Sequence, residues 1–368
     1  MKRTVVRASR LASPQCAPST TAVCRLQRLQ QGRCMSNSLA AAATPVAHPT
    51  VAGAPPPPPQ QSVTYVGDRL NRKRAQAEAL QRGQQKKVDP SKPGSALSRR
   101  FWKDVSVQEA QDGLQVHLDK RAVRTSNKQP LSLPHEKRML ASAIALEWDQ
   151  LVSAQQALKH HYIPLTALVS RAIDIQAADA AGNTTIRESI SKMLMRYLST
   201  DTLLCWAPER DIHDPENRSG RRSLRGRQKE IAEPIIAYLK AHVFPGIEIE
   251  PILSEDSIVP RSHPELTVEV IRGWVNGLPA YELAALERGV LATKSLLIAA
   301  RLVVEWSTEF QELPKGSVQE RFGIENAAEA STLEEAYQTE QWGEVEDTHD
   351  VNAADLRRQL GSVILLIS

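Results

Sequence analysis

Between residues 101 and 133 apolar and polar positions take turns. Leu114, Val116 and Leu118 occupy every second place, with Gln115 and His117 between them. A period of two belongs to a strand with one packed and one wet face. The turn pair Asp112-Gly113 precedes this run and Asp119-Lys120 follows it. Two further short strands, over residues 121–125 and 131–133, complete a small antiparallel unit.

From Pro134 onward the period lengthens to that of a helix. Leu140, Ala143, Ile144, Trp148 and Leu151 share one stripe, which makes Trp148 a core residue, with Pro134 and Glu136 in the first turn. Leu165, Leu168, Val169, Ala172 and Ile173 form a second stripe. Thr185-x-x-Glu188 reads as a capping box opening a third helix that buries Ile186, Ile190, Met193, Leu194 and Tyr197. Further helices are expected over 228–243 (with Pro234 near its start), 265–276, 280–292 and through Leu297, Ala300 and Val304. Ser317-x-x-Glu320 caps another candidate before the Ala/Glu-rich stretch 325–340. The last helix follows Asp350 and Asn352, with Leu356, Leu360, Val363, Ile364 and Ile367 in register. No stretch repeats itself at a fixed period, so a solenoid is not expected. The pattern predicts an α+β fold. A small, mostly antiparallel β-rich N-terminal domain starts over 100–133 and reaches about 165 if it takes in the first helix. A larger α-helical domain then fills 165–368.

Charge divides the chain differently. Residues 1–67 hold seven Lys or Arg and no Asp or Glu, which leaves 39 basic against 42 acidic residues from Asp68 onward. The sequence pI of about 8.8 therefore belongs mostly to the N-terminal segment. Residues 1–35, basic, acid-free and rich in Ser, Thr and Ala, read as a mitochondrial transit peptide, with cleavage expected after Cys34 or Met35. Residues 36–99 read as a disordered linker, rich in Pro and Ala at first, with five prolines at 55–59, then basic. Beyond the first 35 residues Cys205 is the single cysteine, which excludes a disulfide scaffold. The most apolar run, 291–304, is interrupted by Lys294 and Arg301, so no membrane insertion is expected.

Chemistry is sparse. The sequence holds no phosphate loop, no dinucleotide fingerprint, no H-E-x-x-H and no nucleophile elbow. Glu346-x-x-His349 has metal-ligand spacing but occurs once, where di-metal bundles use two copies. It supports one alternative function, a carboxylate/His metal-dependent enzyme. The tandem His160-His161 reads as a surface pair. Arg218, Arg221, Arg222, Arg225, Arg227 and Lys229 form a basic cluster, read as a solvated loop. With the basic 69–100 segment it supports a second alternative, an organellar RNA-binding factor.

The stretch from Trp342 to Asp350 sets an aromatic and Gly343 beside Glu344, Glu346, Asp347 and Asp350. It has two readings. Gly343 ends one helix while the acids favour the start of the next. Or an exposed aromatic and clustered carboxylates form a patch for a basic partner. On the second reading the partner-binding residues are Trp342, Glu344, Glu346 and Asp350.

Several short motifs carry a resemblance when taken together and in order. They are Arg100-Phe101-Trp102-Lys103-Asp104-Val105, then Leu131-Ser132-Leu133-Pro134 and Ala145-Leu146-Glu147-Trp148-Asp149. Pro164-Leu165-Thr166 with Ala172-Ile173-Asp174 comes next, then Tyr197-Leu198-Ser199-Thr200-Asp201-Thr202 and Gln338-x-x-x-Trp342-Gly343. In these residues the chain resembles the mitochondrial F1-ATPase assembly factor 2 family, chaperones of the F1 alpha subunit. The resemblance implies an assembly chaperone in the mitochondrial matrix with no enzymatic activity and no cofactor. Its implied partner is the unassembled F1-ATPase alpha subunit, shielded until the beta subunit joins, and neither nucleic acid nor membrane. It also implies an essential C-terminal acid, carried here onto Glu346 with Glu344 second.

Overall fold

The computed structural model describes residues 71–76, 99–208, 222–253, 261–316, 321–345 and 348–368, all within one compact unit, Val51–Ser368. The targeting segment, the Pro-rich linker, Arg218, Arg221, the Ser317-x-x-Glu320 cap, Glu346 and Asp347 lie outside the described residues. Inside the stretch read as linker, residues 71–76 are helical and exposed.

Four strands form the sheet: β1 (Val105–Ala110), β2 (Gly113–Leu118), β3 (Arg121–Ala122) and β4 (Ser132–Leu133). β2 is central and antiparallel to the other three, with Val116 opposite Val107, His117 opposite Ala122 and Leu114 opposite Leu133. Leu114, Val116 and Leu118 are buried while Gln115 and His117 are half-buried, as the alternation requires. Gly113 has φ +128, and a Cβ there would lie 2.1 Å from the Leu133 carbonyl oxygen. Only glycine lets β4 approach the turn this closely.

The helices follow as α1 (Arg138–Gln150), α2 (Pro164–Ala180), α3 (Thr185–Leu198), α4 (Leu224–His242), α5 (Glu265–Gly277), α6 (Ala280–Thr293), α7 (Leu296–Trp306), α8 (Ile324–Trp342) and α9 (His349–Ile367). This is the expected small antiparallel sheet followed by a larger helical region. Several starts differ from expectation, each for a local reason. Pro134 and Glu136 form the turn before α1, where Lys137 N–H bonds the Pro134 carbonyl, so the helix waits until Arg138. The capping chemistry of α3 sits one residue early: Thr184 Oγ1 donates to Glu188 Oε1 at 2.6 Å, and Asn183 Oδ1 accepts from Thr185 N–H at 3.0 Å. α4 begins before 228 because Ser223 Oγ caps Gly226 N–H at 3.2 Å. That places Pro234 inside the helix, where the Glu230 carbonyl lacks its usual donor. α9 opens at His349, so Asp350 and Asn352 lie in its first turns, not ahead of it.

The core runs from the inner face of the sheet through the helices. α6 and α7 are its centre, with Leu296 through Ala300 and Leu302 through Val304 fully enclosed. Arg301 is accommodated there by Glu305, whose Oε2 lies 2.6 Å from its Nη1, and by the Tyr238 ring, which packs 3.6 Å from its guanidinium. Trp148, expected in the core, is half-buried; the enclosed indole is Trp102, 2% exposed, edge-on to Trp148 at 5.5 Å. α9 buries Leu360, Val363, Leu366 and Ile367. Lys137 Nζ closes its far end, donating to the carbonyls of Leu366 at 2.9 Å and Ser368 at 3.4 Å. Among the described residues no helix is long and apolar enough to cross a membrane.

Candidate partner-binding cleft

The short motifs of the first half form two structural clasps. Glu147, near the end of α1, accepts from Leu165 N–H at 2.7 Å, Thr166 N–H at 3.1 Å and Thr166 Oγ1 at 3.1 Å, so it caps the start of α2. Burial pushes its carboxyl up to about 7, against the pull of those hydrogen bonds. Trp148 Nε1 bonds Thr166 Oγ1 at 3.0 Å, Trp102 Nε1 bonds the Trp148 carbonyl at 3.3 Å, and Arg100 pairs with Asp149 at 3.2 Å. The second clasp is Asp201, fully enclosed. It accepts from Leu296 N–H at 2.7 Å and Leu297 N–H at 3.1 Å at the start of α7, and from Leu203 N–H at 3.0 Å. Burial pushes its carboxyl up to about 6, opposed by the Ser295 hydroxyl and these N–H groups. These motifs hold helix starts in place.

The acids of the C-terminal region are arranged otherwise. α8 and α9, with the end of α6, enclose a cleft of about 720 Å³. Its lining holds Glu335, Glu340, Glu344, Asp350 and Asp355, with Lys294 and His349 as the basic side chains among the described residues. The small Ala336 and Ala353 leave room between the helices. Gly343, with φ +88, ends α8 by donating its N–H to the Thr339 carbonyl at 2.9 Å, and so turns Glu344 toward the cleft.

Some of these carboxylates are already engaged. Glu340 takes both nitrogens of Arg227, at 2.8 and 2.9 Å. Asp355 is gripped by Arg358 and Gln359; burial pushes its carboxyl up, but these bonds and the Arg358 charge outweigh it and hold it below the usual range. His349 Nδ1 accepts from Val345 N–H at 3.2 Å, which leaves Nε2 facing Glu335 at 3.8 Å. Glu344 and Asp350 are exposed. Trp342, at the end of α8, is 39% exposed, and Val345 and Val351 are also exposed.

Of the residues singled out in the sequence, Glu344 and Asp350 line this cleft, Trp342 is exposed at the end of α8, and Glu346 lies outside the described residues. Glu335, Glu340 and Asp355 were missed. Glu335 and Glu340 share a face of α8 with Ala336 and Thr339, but that face is polar enough to read as solvent until α9 is placed against it. Among the described residues, no group of three His, Cys, Asp or Glu side chains could hold a metal ion. The described part of the basic cluster is no loop. It opens α4, where Arg222 pairs with Glu230 at 2.7 Å, Arg225 bonds the Ala207 carbonyl at 2.8 Å, and Lys229 packs over Trp206.

Three comparisons bear on identity. The family model described as ATP12 chaperone protein matches residues 99–240. "Protein atp12, mitochondrial" of Schizosaccharomyces pombe is 31% identical over 268 residues, covering 73% of this chain and 81% of that protein. "Protein ATP12, mitochondrial" of Saccharomyces cerevisiae is also 31% identical, over 286 residues, covering 72% and 82%. The crystal structure of Atp12 from Paracoccus denitrificans has a TM-score of 0.52 at 26% identity, covering 73% of this chain and 96% of that one. That family is described as chaperones, not enzymes. With the sheet-then-helices architecture, the motifs in order and similarity over four fifths of the fungal proteins, the chain belongs to the ATP12 chaperone family.

Proposed function

We propose that this protein is an assembly chaperone of the mitochondrial F1-ATPase that binds the unassembled alpha subunit in the matrix and shields its interface until the beta subunit joins. The observation that carries this reading is the cleft between α8 and α9, where Glu344 and Asp350 stand exposed beside Glu335, while Glu340 and Asp355 are already held by Arg227 and Arg358. Low-dielectric walls lined with one sign of charge focus the field and draw in the opposite sign. Basic side chains of the client enter the cleft near the end of α8, where the sequence adds Glu346 two positions after Glu344. The charge pattern speaks against RNA, whose phosphates it would repel.

Titration of purified alpha subunit against the full chain tests this. The parent binds, and binding weakens as salt rises. Glu344→Lys with Asp350→Lys abolishes that salt dependence and most of the affinity while the melting temperature holds. Unchanged affinity in the double variant would sink the reading.

A further inference from the structure

One side chain in the cleft lining, His349, serves two neighbours through its two ring nitrogens. Its Nδ1 accepts from Val345 N–H at 3.2 Å, while its own backbone N–H donates to the Val345 carbonyl, also at 3.2 Å. This reciprocal pair clamps the connection between α8 and α9, from which Glu344 lines the cleft. Nδ1 accepts only through its lone pair, so the ring is neutral and carries its proton on Nε2. That nitrogen faces Glu335 on α8 at 3.8 Å.

A second proton would change both ends of the ring at once. An imidazolium has an N–H on each nitrogen and no acceptor. Val345 N–H would lose its partner and meet another donor, which opens the clamp. At the other end the new charge would lie within ion-pair distance of Glu335 and take a carboxylate that a client cation needs. The side chain is 27% exposed, so protons reach it from solvent. The charged groups that line the cleft with it are Glu335 and Glu340 from α8, Glu344 from the connection, Asp350 and Asp355 from α9, and Lys294 from the end of α6. Arg227 holds Glu340, Arg358 holds Asp355, and Lys294 Nζ donates to the Leu291 carbonyl at 2.6 Å. Glu335 is thus the carboxylate that His349 governs.

We propose that His349 is a positioning residue of the client cleft and its proton-operated release. Neutral, it holds the connection that carries Glu344 and leaves Glu335 to the client's basic side chains. Charged, it lets the connection go and occupies Glu335 itself. The inference rests on the reading of the cleft as the client site. Because client cation and ring proton compete, client binding expels the proton, and affinity falls as the solution turns acid.

The test measures binding of purified alpha subunit to the full chain at about pH 8 and about pH 6, which bracket the range where imidazoles change charge. Parent and His349→Asn are compared, since an asparagine Oδ1 can accept from Val345 N–H in place of Nδ1 but takes up no proton. At the alkaline end the two should bind alike. At the acid end the parent should have lost about fivefold more affinity than the variant. Carboxyls of Asp201 and Glu147 titrate in the same range, at about 6 and about 7, but both proteins share them and the comparison cancels them. In the parent, the Val345 amide signal in NMR should move with pH on the same midpoint as the His349 ring signals.

Parallel binding curves for parent and variant overturn the proposal. So does a Val345 amide signal that stays still while the ring titrates. If His349→Asn unfolds, that amide signal decides in its place. If the parent binds no alpha subunit at either pH, the cleft reading falls and a hexalysine peptide decides the switch alone. Acid-sensitive binding of that peptide to the parent but not to the variant upholds it, and any other result overturns it.

Discussion

Carboxylates do opposite work in the two halves of this molecule. At the junction of α1 and α2, Glu147 is surrounded by donors from its own chain, and Asp201 is likewise enclosed at the start of α7. At the cleft, Glu344 and Asp350 stand exposed among other acids. The first arrangement spends its acceptor oxygens on folding, because the N–H groups of a helix start need acceptors, while burial disfavours the charge. The second holds like charges close together, which costs stability unless a cation arrives. The carboxylates that look most chemical by burial and by titration are thus the structural ones, and those that look idle are the candidates for function.

The largest effect should come from breaking the junction's aromatic seam. Trp102→Ala removes an enclosed indole and should cost about 3–5 kcal/mol in chemical denaturation. Trp148→Ala, at a half-buried site, should cost clearly less. Equal costs would mean that the seam has no inner and outer member.

Next in size is a pH effect. The folded-state carboxyl of Glu147 titrates at about 7, above its usual 4.5. The folded chain therefore holds this proton where the unfolded chain has released it. The associated stability is fully present below pH 4.5 and is lost as pH rises toward 7. Glu147→Gln should flatten that part of the stability–pH curve, a difference on the order of 3 kcal/mol between the ends of the window. A variant curve parallel to the parent's would remove Glu147 from the account.

At the cleft the same kind of change should leave stability alone. Glu344→Lys, and separately Glu346→Lys, should weaken alpha-subunit capture by about 2 kcal/mol with the helical circular-dichroism signal and melting temperature retained. A variant that unfolds would turn the cleft into a second junction and erase the contrast. The smallest effect belongs to an exposed pair of neither kind. Arg222→Ala, which loses the ion pair to Glu230, should change stability by less than about 1 kcal/mol.

The sequence made the elements legible where the pattern is local. The alternation of Leu114, Val116 and Leu118 predicts β2, and the stripes of α2 and α9 are periodic enough to read directly. What was not legible depends on residues far apart. Glu147 reaches across 18 positions to Leu165, and Asp201 across 95 to Leu296. No spacing rule announces a cap supplied from another element. Trp102 and Trp148 look alike in sequence; only the packing of the β1 approach against α1 decides which one is enclosed. The acids of the 342–350 stretch stood out because they cluster along the chain. Glu335, Glu340 and Asp355 join them only through the docking of two helices.

The bond from Lys137 to the Leu366 carbonyl spans 229 positions. A chain that emerges N-terminus first, from a ribosome or through an import pore, presents the lysine long before the helix whose end it closes. Until α9 has emerged, α6 is covered mainly by α2 and α7 and the acid-lined wall opposite α8 does not exist. Such late, sequence-distant closure slows folding and leaves apolar surface open in the meantime. Newly made copies are thus themselves candidates for protection, and client capture can begin only after the chaperone has finished becoming one.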